Sequence, residues 1–105
     1  MTLADFATIL YGTGLPAVYL SFGENDCPDM PFLTWFETGS DNFAADGKVY
    51  HQIRQVQVDL WTKNKDLNAE ATLETAFNNA GLFWNKEMNF EENESAQQTT
   101  YSLEF

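Results

Sequence analysis

The stretch that decides the fold is Asn42–Asn64, NFAADGKVYHQIRQVQVDLWTKN. It opens with a Gly-containing loop whose Asp46-Gly47 pair is a turn signal. It then alternates, and ends in polar Lys63 and Asn64. Val49, His51 and Ile53 fall on one parity, and Val56, Val58 and Leu60 on the other. Side chains of a strand point to opposite faces with period two, so a change of parity demands one extra residue. The expectation is a single strand over Lys48–Thr62 with a β-bulge near Arg54-Gln55, at the centre of a sheet.

The flanking segments supply the rest of that sheet and its cover. Thr2, with Asp5 three positions on, caps a first helix in which Phe6, Ile9 and Leu10 share a face, and Gly12 and Gly14 end it. Pro16–Phe22 reads as a strand, Gly23–Met30 as a polar loop, and Pro31–Glu37 as an aromatic-rich strand. In that strand Phe32 and Phe36 oppose Leu33 and Trp35, so both faces are expected to be covered. After Thr62, Asn68 is the expected cap of a helix carrying Leu73, Ala76, Phe77 and Ala80, closed by Gly81. Trp84, Met88 and Phe90 alternate, Glu91–Gln98 is a polar connection, and Thr99–Phe105 closes the chain with Tyr101, Leu103 and Phe105 on one side. The reading is one α+β domain over residues 1–105, an antiparallel sheet covered on one face by two helices, in the order α-β-β-β-α-β-β.

Composition narrows the function classes. Five Lys+Arg against 16 Asp+Glu leave a formal charge of −11, a field that repels phosphate backbones and speaks against non-specific nucleic-acid binding. The bases Lys48, Arg54, Lys63, Lys65 and Lys86 all lie mid-chain, which offers two readings: a solvated acidic face, or opposite charges meeting across contacts between copies. Aromatics make up 15% of the residues, more than a core of this size readily absorbs, and exposed rings mark partner surfaces. No apolar run approaches the roughly 20 residues that span a bilayer, and the start lacks a basic-then-apolar leader pattern. The expectation is a protein without membrane contact, made and assembled inside a cell.

Groups that carry chemistry are sparse. The single cysteine, Cys27, has no nearby His or base to activate it, and the single histidine, His51, reads as a sheet residue. Zinc then lacks its usual ligands. The acidic clusters Glu24-Asn25-Asp26 and Glu91-Glu92-Asn93-Glu94 lack the spacing and central glycine of a calcium loop. Asp59, beside Trp61 on one side of its strand, reads as an exposed acid on the solvent side of the sheet. Gly12-Thr13-Gly14 is too short, and wrongly placed, for a phosphate loop. No catalytic, metal or cofactor residues are assigned.

Several words of this chain carry a family likeness. The run Asn42–Tyr50, the run Val56–Thr62, the Lys65-Asp66 step into a helix, and Ala80–Lys86 together resemble small tail-completion proteins of long-tailed phages and prophages of Gram-positive bacteria. These are also described as tail-terminator or tail-to-head joining proteins. The likeness runs from about Tyr11 to the end. It implies a non-enzymatic virion protein, without cofactor, assembled in the host cytoplasm as a ring, commonly of six. The implied partners are further copies of itself, the tail-tube protein and the head-tail connector, with DNA only as passing cargo in the lumen.

On that reading the contact surfaces are the loops Gly39–Gly47, Gly23–Met30 and the connection Glu91–Gln98. Their candidate contact residues are Asp41, Asn42, Phe43, Asp46, Glu24, Asp26, Glu91, Glu92 and Glu94. Phe43 either pins its loop to its own domain or inserts into a neighbour. The competing reading is a stand-alone carbohydrate- or protein-binding module that uses Trp35, Trp61 and Trp84 as an open platform.

Overall fold

The computed structural model describes residues 1–23, 26–40, 42–45, 47–91 and 96–105. Its elements, in chain order, are α1 (Leu3–Tyr11), β1 (Ala17–Tyr19), β2 (Phe32–Ser40), β3 (Phe43–Ala45), β4 (Lys48–His51), β5 (Arg54–Thr62), α2 (Leu67–Asn79), β6 (Trp84–Glu91) and β7 (Ala96–Glu104). The main sheet has five strands in the order β1-β2-β5-β7-β6. Leaving aside the β3–β4 hairpin, the order is the expected α-β-β-β-α-β-β, and the class is α+β.

Both helices begin and end for reasons written in their residues. Thr2 and Asp5 form a reciprocal capping box at α1, each side chain taking the other residue's backbone N–H at 3.0 and 3.1 Å. At α2 the cap is Asp66 rather than Asn68, its carboxylate accepting from the Ala69 N–H at 3.0 Å. Ala69, Leu73 and Phe77 lie on the buried face of α2. The far end closes through Gly81 at φ +72°, whose N–H donates to Asn78 O while that of Leu82 donates to Phe77 O. Those two bonds satisfy carbonyls that the last turn leaves open.

The core lies between the helices and one sheet face. Phe6 and Leu10 of α1 and Leu73 and Phe77 of α2 pack on Leu33 and Trp35 of β2, on Val56, Val58 and Leu60 of β5, and on Tyr101 and Leu103 of β7. Phe6 is its hinge point, edge-on to Trp35 at 5.4 Å and stacked near Phe77 and Phe105 at 6.0 and 5.1 Å. Such aromatic pairs add to what burial of their area already contributes.

Three expectations need correction. The sheet is mixed, because β1 runs parallel to β2, with Ala17, Val18 and Tyr19 beside Leu33, Thr34 and Trp35. The connection between them has to return along the strands to permit this, and Phe22 anchors it edge-on against Phe32 at 5.3 Å. Next, Lys48–Thr62 is two strands: β4 pairs with β3 in its own small sheet and β5 joins the main one, with Gln52-Ile53 between them. Finally, the irregularity beside Gln55 belongs to the partner strand. Glu37 faces Val56 and Gly39 faces Gln55, so Thr38 is the extra residue, its hydroxyl donating to Gln55 O at 3.2 Å. Ile53 accordingly stays outside the core cluster.

Candidate functional site

Register places the candidate contact segments at two ends of the sheet. Phe32, Trp61, Gln98 and Asn89 share one row across β2, β5, β7 and β6, so the strand ends that border the Gly23–Met30 loop and the Glu91–Gln98 connection lie at the same end of the sheet. Ser40 pairs with Arg54 at the other end, where Arg54 and Phe105 also exchange backbone hydrogen bonds at 2.7 and 2.9 Å. The β3–β4 hairpin leaves from there, with Gly47 at φ +75° in its turn. Among the described residues it makes no substantial contact with the sheet or the helices. The molecule is long for its size, 50 × 28 × 23 Å.

The individual residues divide accordingly. Asn42 and Asp26 are exposed, and Asp26 closes a turn through its N–H to Gly23 O at 2.9 Å. Phe43 opens β3, opposite His51, and Glu91 ends β6, opposite Ala96. The side-chain alternatives for Phe43, and the positions Glu24, Asp41, Asp46, Glu92 and Glu94, lie outside the described residues.

The tryptophans do not form a platform. Trp35 is in the core, and Trp84 sits half-buried on the helix side, edge-on to Tyr101 at 5.7 Å, with its N–H donated to Asn78. Trp61 lies on the opposite face, stacked over Phe32 at 6.4 Å and donating to Thr34 Oγ1 at 3.0 Å. A binding module built on these three rings has no shared surface to use.

Asp59 is also not the exposed acid it was expected to be. It lies on the helix-free face, yet only 5% of it is accessible. Thr100 Oγ1 donates to it at 2.8 Å and Gln57 Nε2 at 3.1 and 3.2 Å. These bonds repay the desolvation of the carboxylate. Toward the hairpin end the same face holds a shallow groove of about 580 Å³, lined by Gln55, Gln57, Phe83, Asn85 and Ser102 among others. Among the described residues no group of three or more His, Cys, Asp or Glu side chains converges in a way that suits a metal ion. Cys27 is free and exposed.

Sequence reading missed a charge network beneath the other face. Glu70 is buried and lies between Lys65 Nζ at 2.9 Å and Lys86 Nζ at 3.1 Å. Glu74, one turn on, accepts from Lys86 at 2.8 Å and from the Tyr101 hydroxyl at 2.7 Å. Burial, the largest single influence on Glu74, works to raise its pKa. The hydrogen bonds from Lys86 and Tyr101, with the charges of Lys86 and Lys65, outweigh it and hold the carboxyl below its ordinary value. Lys86 is raised, first by its bond to Glu74. Tyr101 is pushed well above the usual phenol range by burial and then by the same carboxylate. The spacing of Glu70 and Glu74 on one helix face was a legible hint; the register that brings Lys86 beside Tyr101 was not.

With Arg54 on Glu37 at 3.2 Å, three of the five basic residues are committed inside the chain. Contact between copies therefore has to draw on apolar and backbone groups more than on these charges. No family model matches this chain, and no curated protein matches it either.

Proposed function

We propose that this chain is a structural component of a long-tailed phage or prophage, of the tail-completion or tail-terminator kind. It assembles in the bacterial cytoplasm and becomes part of the virion. There it forms a ring, of six copies on the tail, that terminates the tail tube or joins it to the head. It works by contact, without catalysis or cofactor.

The observation that carries this reading is the placement of the candidate contact loops. The strand ends that border them lie at opposite ends of one sheet in an elongated molecule, as suits a part that touches one partner on each side. Two features support it. The surplus of acid over base is strong, and most of the bases are internally paired; a lumen lined by such subunits repels DNA and lets it slide. Among the described residues the hairpin also has no extensive contact with the sheet or the helices.

Co-expression with a tail-tube protein of a long-tailed phage, followed by negative-stain microscopy, tests the reading. The expected result is tubes of limited length with ring density at one tip. Tubes of unchanged length with no bound density, together with a chain that never sediments with them, would refute it.

A further inference from the structure

We propose that in free solution the chain forms a two-fold dimer, the outer edge of β6 pairing antiparallel with β6 of a second copy, Met88 opposite Met88. This stands apart from the tail reading: the dimer is the free state, and it leaves the Gly23–Met30 and Gly39–Gly47 loops open for any ring contact.

The two edges of the main sheet are treated very differently. An unpaired edge offers a row of backbone N–H and C=O groups to any extended chain, and proteins blunt such edges with short strands, twists or covers. The β1 edge is blunted in this way: it has three residues, after which Leu20 turns away at φ +72°. β6 has eight residues, pairs with β7 without a register shift, and ends the strand order. No described residue pairs with its outer side.

The same strand concentrates exposed apolar side chains. Met88 is 43% and Phe90 59% accessible, and both share the face of Trp84; Lys65 Nζ donates to Met88 Sδ at 3.2 Å and leaves the rest of that side chain open. Phe83, immediately before the strand, is 78% accessible. Backbone valence and apolar surface thus coincide on one edge, which is what a strand-adding partner requires.

Charge decides which partner and which register. A two-fold axis perpendicular to the sheet keeps each face on its own side, so opposing residues must share parity. Centring the pair on Lys86 or on Glu87 sets that residue against its own copy, and directly opposed like charges destabilise a sheet. Centring it beyond Met88 shortens the overlap. Centring on Met88 gives none of these conflicts: Lys86 meets Phe90 of the second copy, Glu87 meets Asn89, and Met88 meets Met88. The first sets the ring against the Lys86 stem, whose ammonium stays on Glu70 and Glu74; the second sets a carboxylate against an amide donor. The strand is self-complementary in this register, and a second copy of the chain is the partner that matches it. The result is one sheet continuous through both copies, with all helices on one face.

Sedimentation and cross-linking test this. The expected mass rises from 12.0 kDa toward twice that as concentration increases. The association tightens roughly tenfold between low and moderate salt, because salt screens two strongly acidic bodies from each other. In a Cys27→Ser background, Met88→Cys should oxidise to a disulfide-linked dimer, whereas Glu87→Cys and Asn89→Cys, out of register with their own copies, should not. Met88→Lys, at a position exposed enough to keep the fold, should abolish dimers while leaving the circular dichroism unchanged. A monomer at every concentration, a dimer that fails to link through residue 88, or a dimer that survives Met88→Lys overturns the proposal.

Discussion

Replacing Tyr101 by Phe isolates one bond of the buried network, because it removes the hydroxyl and leaves the ring. The ring's edge contacts with Phe77 at 5.6 Å and Trp84 at 5.7 Å are kept. What is lost is the 2.7 Å bond to Glu74 Oε2, which retains only Lys86 at 2.8 Å. A hydrogen bond to a charged acceptor contributes about 1.5–3 kcal/mol. Since Lys86 remains, the lower end applies, about 1.5 kcal/mol. In urea that moves the unfolding midpoint down by roughly 0.5–1.5 M at unchanged slope. The pH dependence sharpens the test. Glu74 titrates below its ordinary value of 4.5 in the folded chain, so its ionised form contributes stability that is complete above that value and is lost as pH falls through the lowered one. The variant surrenders part of that contribution. The gap between wild type and Tyr101→Phe should therefore be widest near neutral pH and narrow in acid, and it should shrink by about half in a Glu74→Gln background. A gap that is constant from pH 7 to pH 3, or undiminished beside Glu74→Gln, would refute the argument.

Three further outcomes follow from local geometry. Gly81→Ala meets no atom within 4 Å but must hold φ +72°, so backbone strain alone should cost about 1–2 kcal/mol by chemical denaturation, and Gly81→Asn less. Phe77→Ala removes a ring with no accessible surface and should cost about 3–5 kcal/mol in thermal or urea unfolding. Phe83→Ala, at an exposed ring, should stay within about 0.5 kcal/mol.

How much of this was legible from the residues depended on the range of the interactions involved. The capping box at Thr2 and Asp5, the Leu73–Phe77 stripe and the glycine after α2 are local, and each formed where its spacing put it. The α2 start lies at Asp66 rather than Asn68, and residue type alone does not separate an Asp from an Asn two positions on, because both cap well. Pairing is not local. The parity change after Ile53 showed that the alternation could not run on unbroken, but it could not say that β5 would start anew, nor that the extra residue would be Thr38 on the neighbouring strand. The polar Gly23–Met30 loop read as a turn between antiparallel strands, although its length permits the crossover that β1 uses. For the candidate site, charge runs marked the loops. The open edge of β6 depends on strand order, which no single segment encodes.

The acidity of the chain acquires a different meaning once the bases are located. In composition, five bases and 16 acids suggest a surface on which the minority charge is free to seek partners. In the structure Lys65 and Lys86 close over Glu70 and Glu74, and Arg54 closes over Glu37. Those pairs hold α2 and β2 to the strands beside them, and what remains outside is largely repulsive. A chain so built associates only where short-range terms exceed that repulsion, at a strand edge or an apolar side chain, and it does so more readily in salt. Repulsion everywhere else then serves specificity, because a misplaced contact gains little and meets like charge. The Asn42–Asn64 stretch supports the same division. Its second half is a central strand buried in the core, while its first half forms a hairpin that, among the described residues, has no extensive contact with the sheet or the helices.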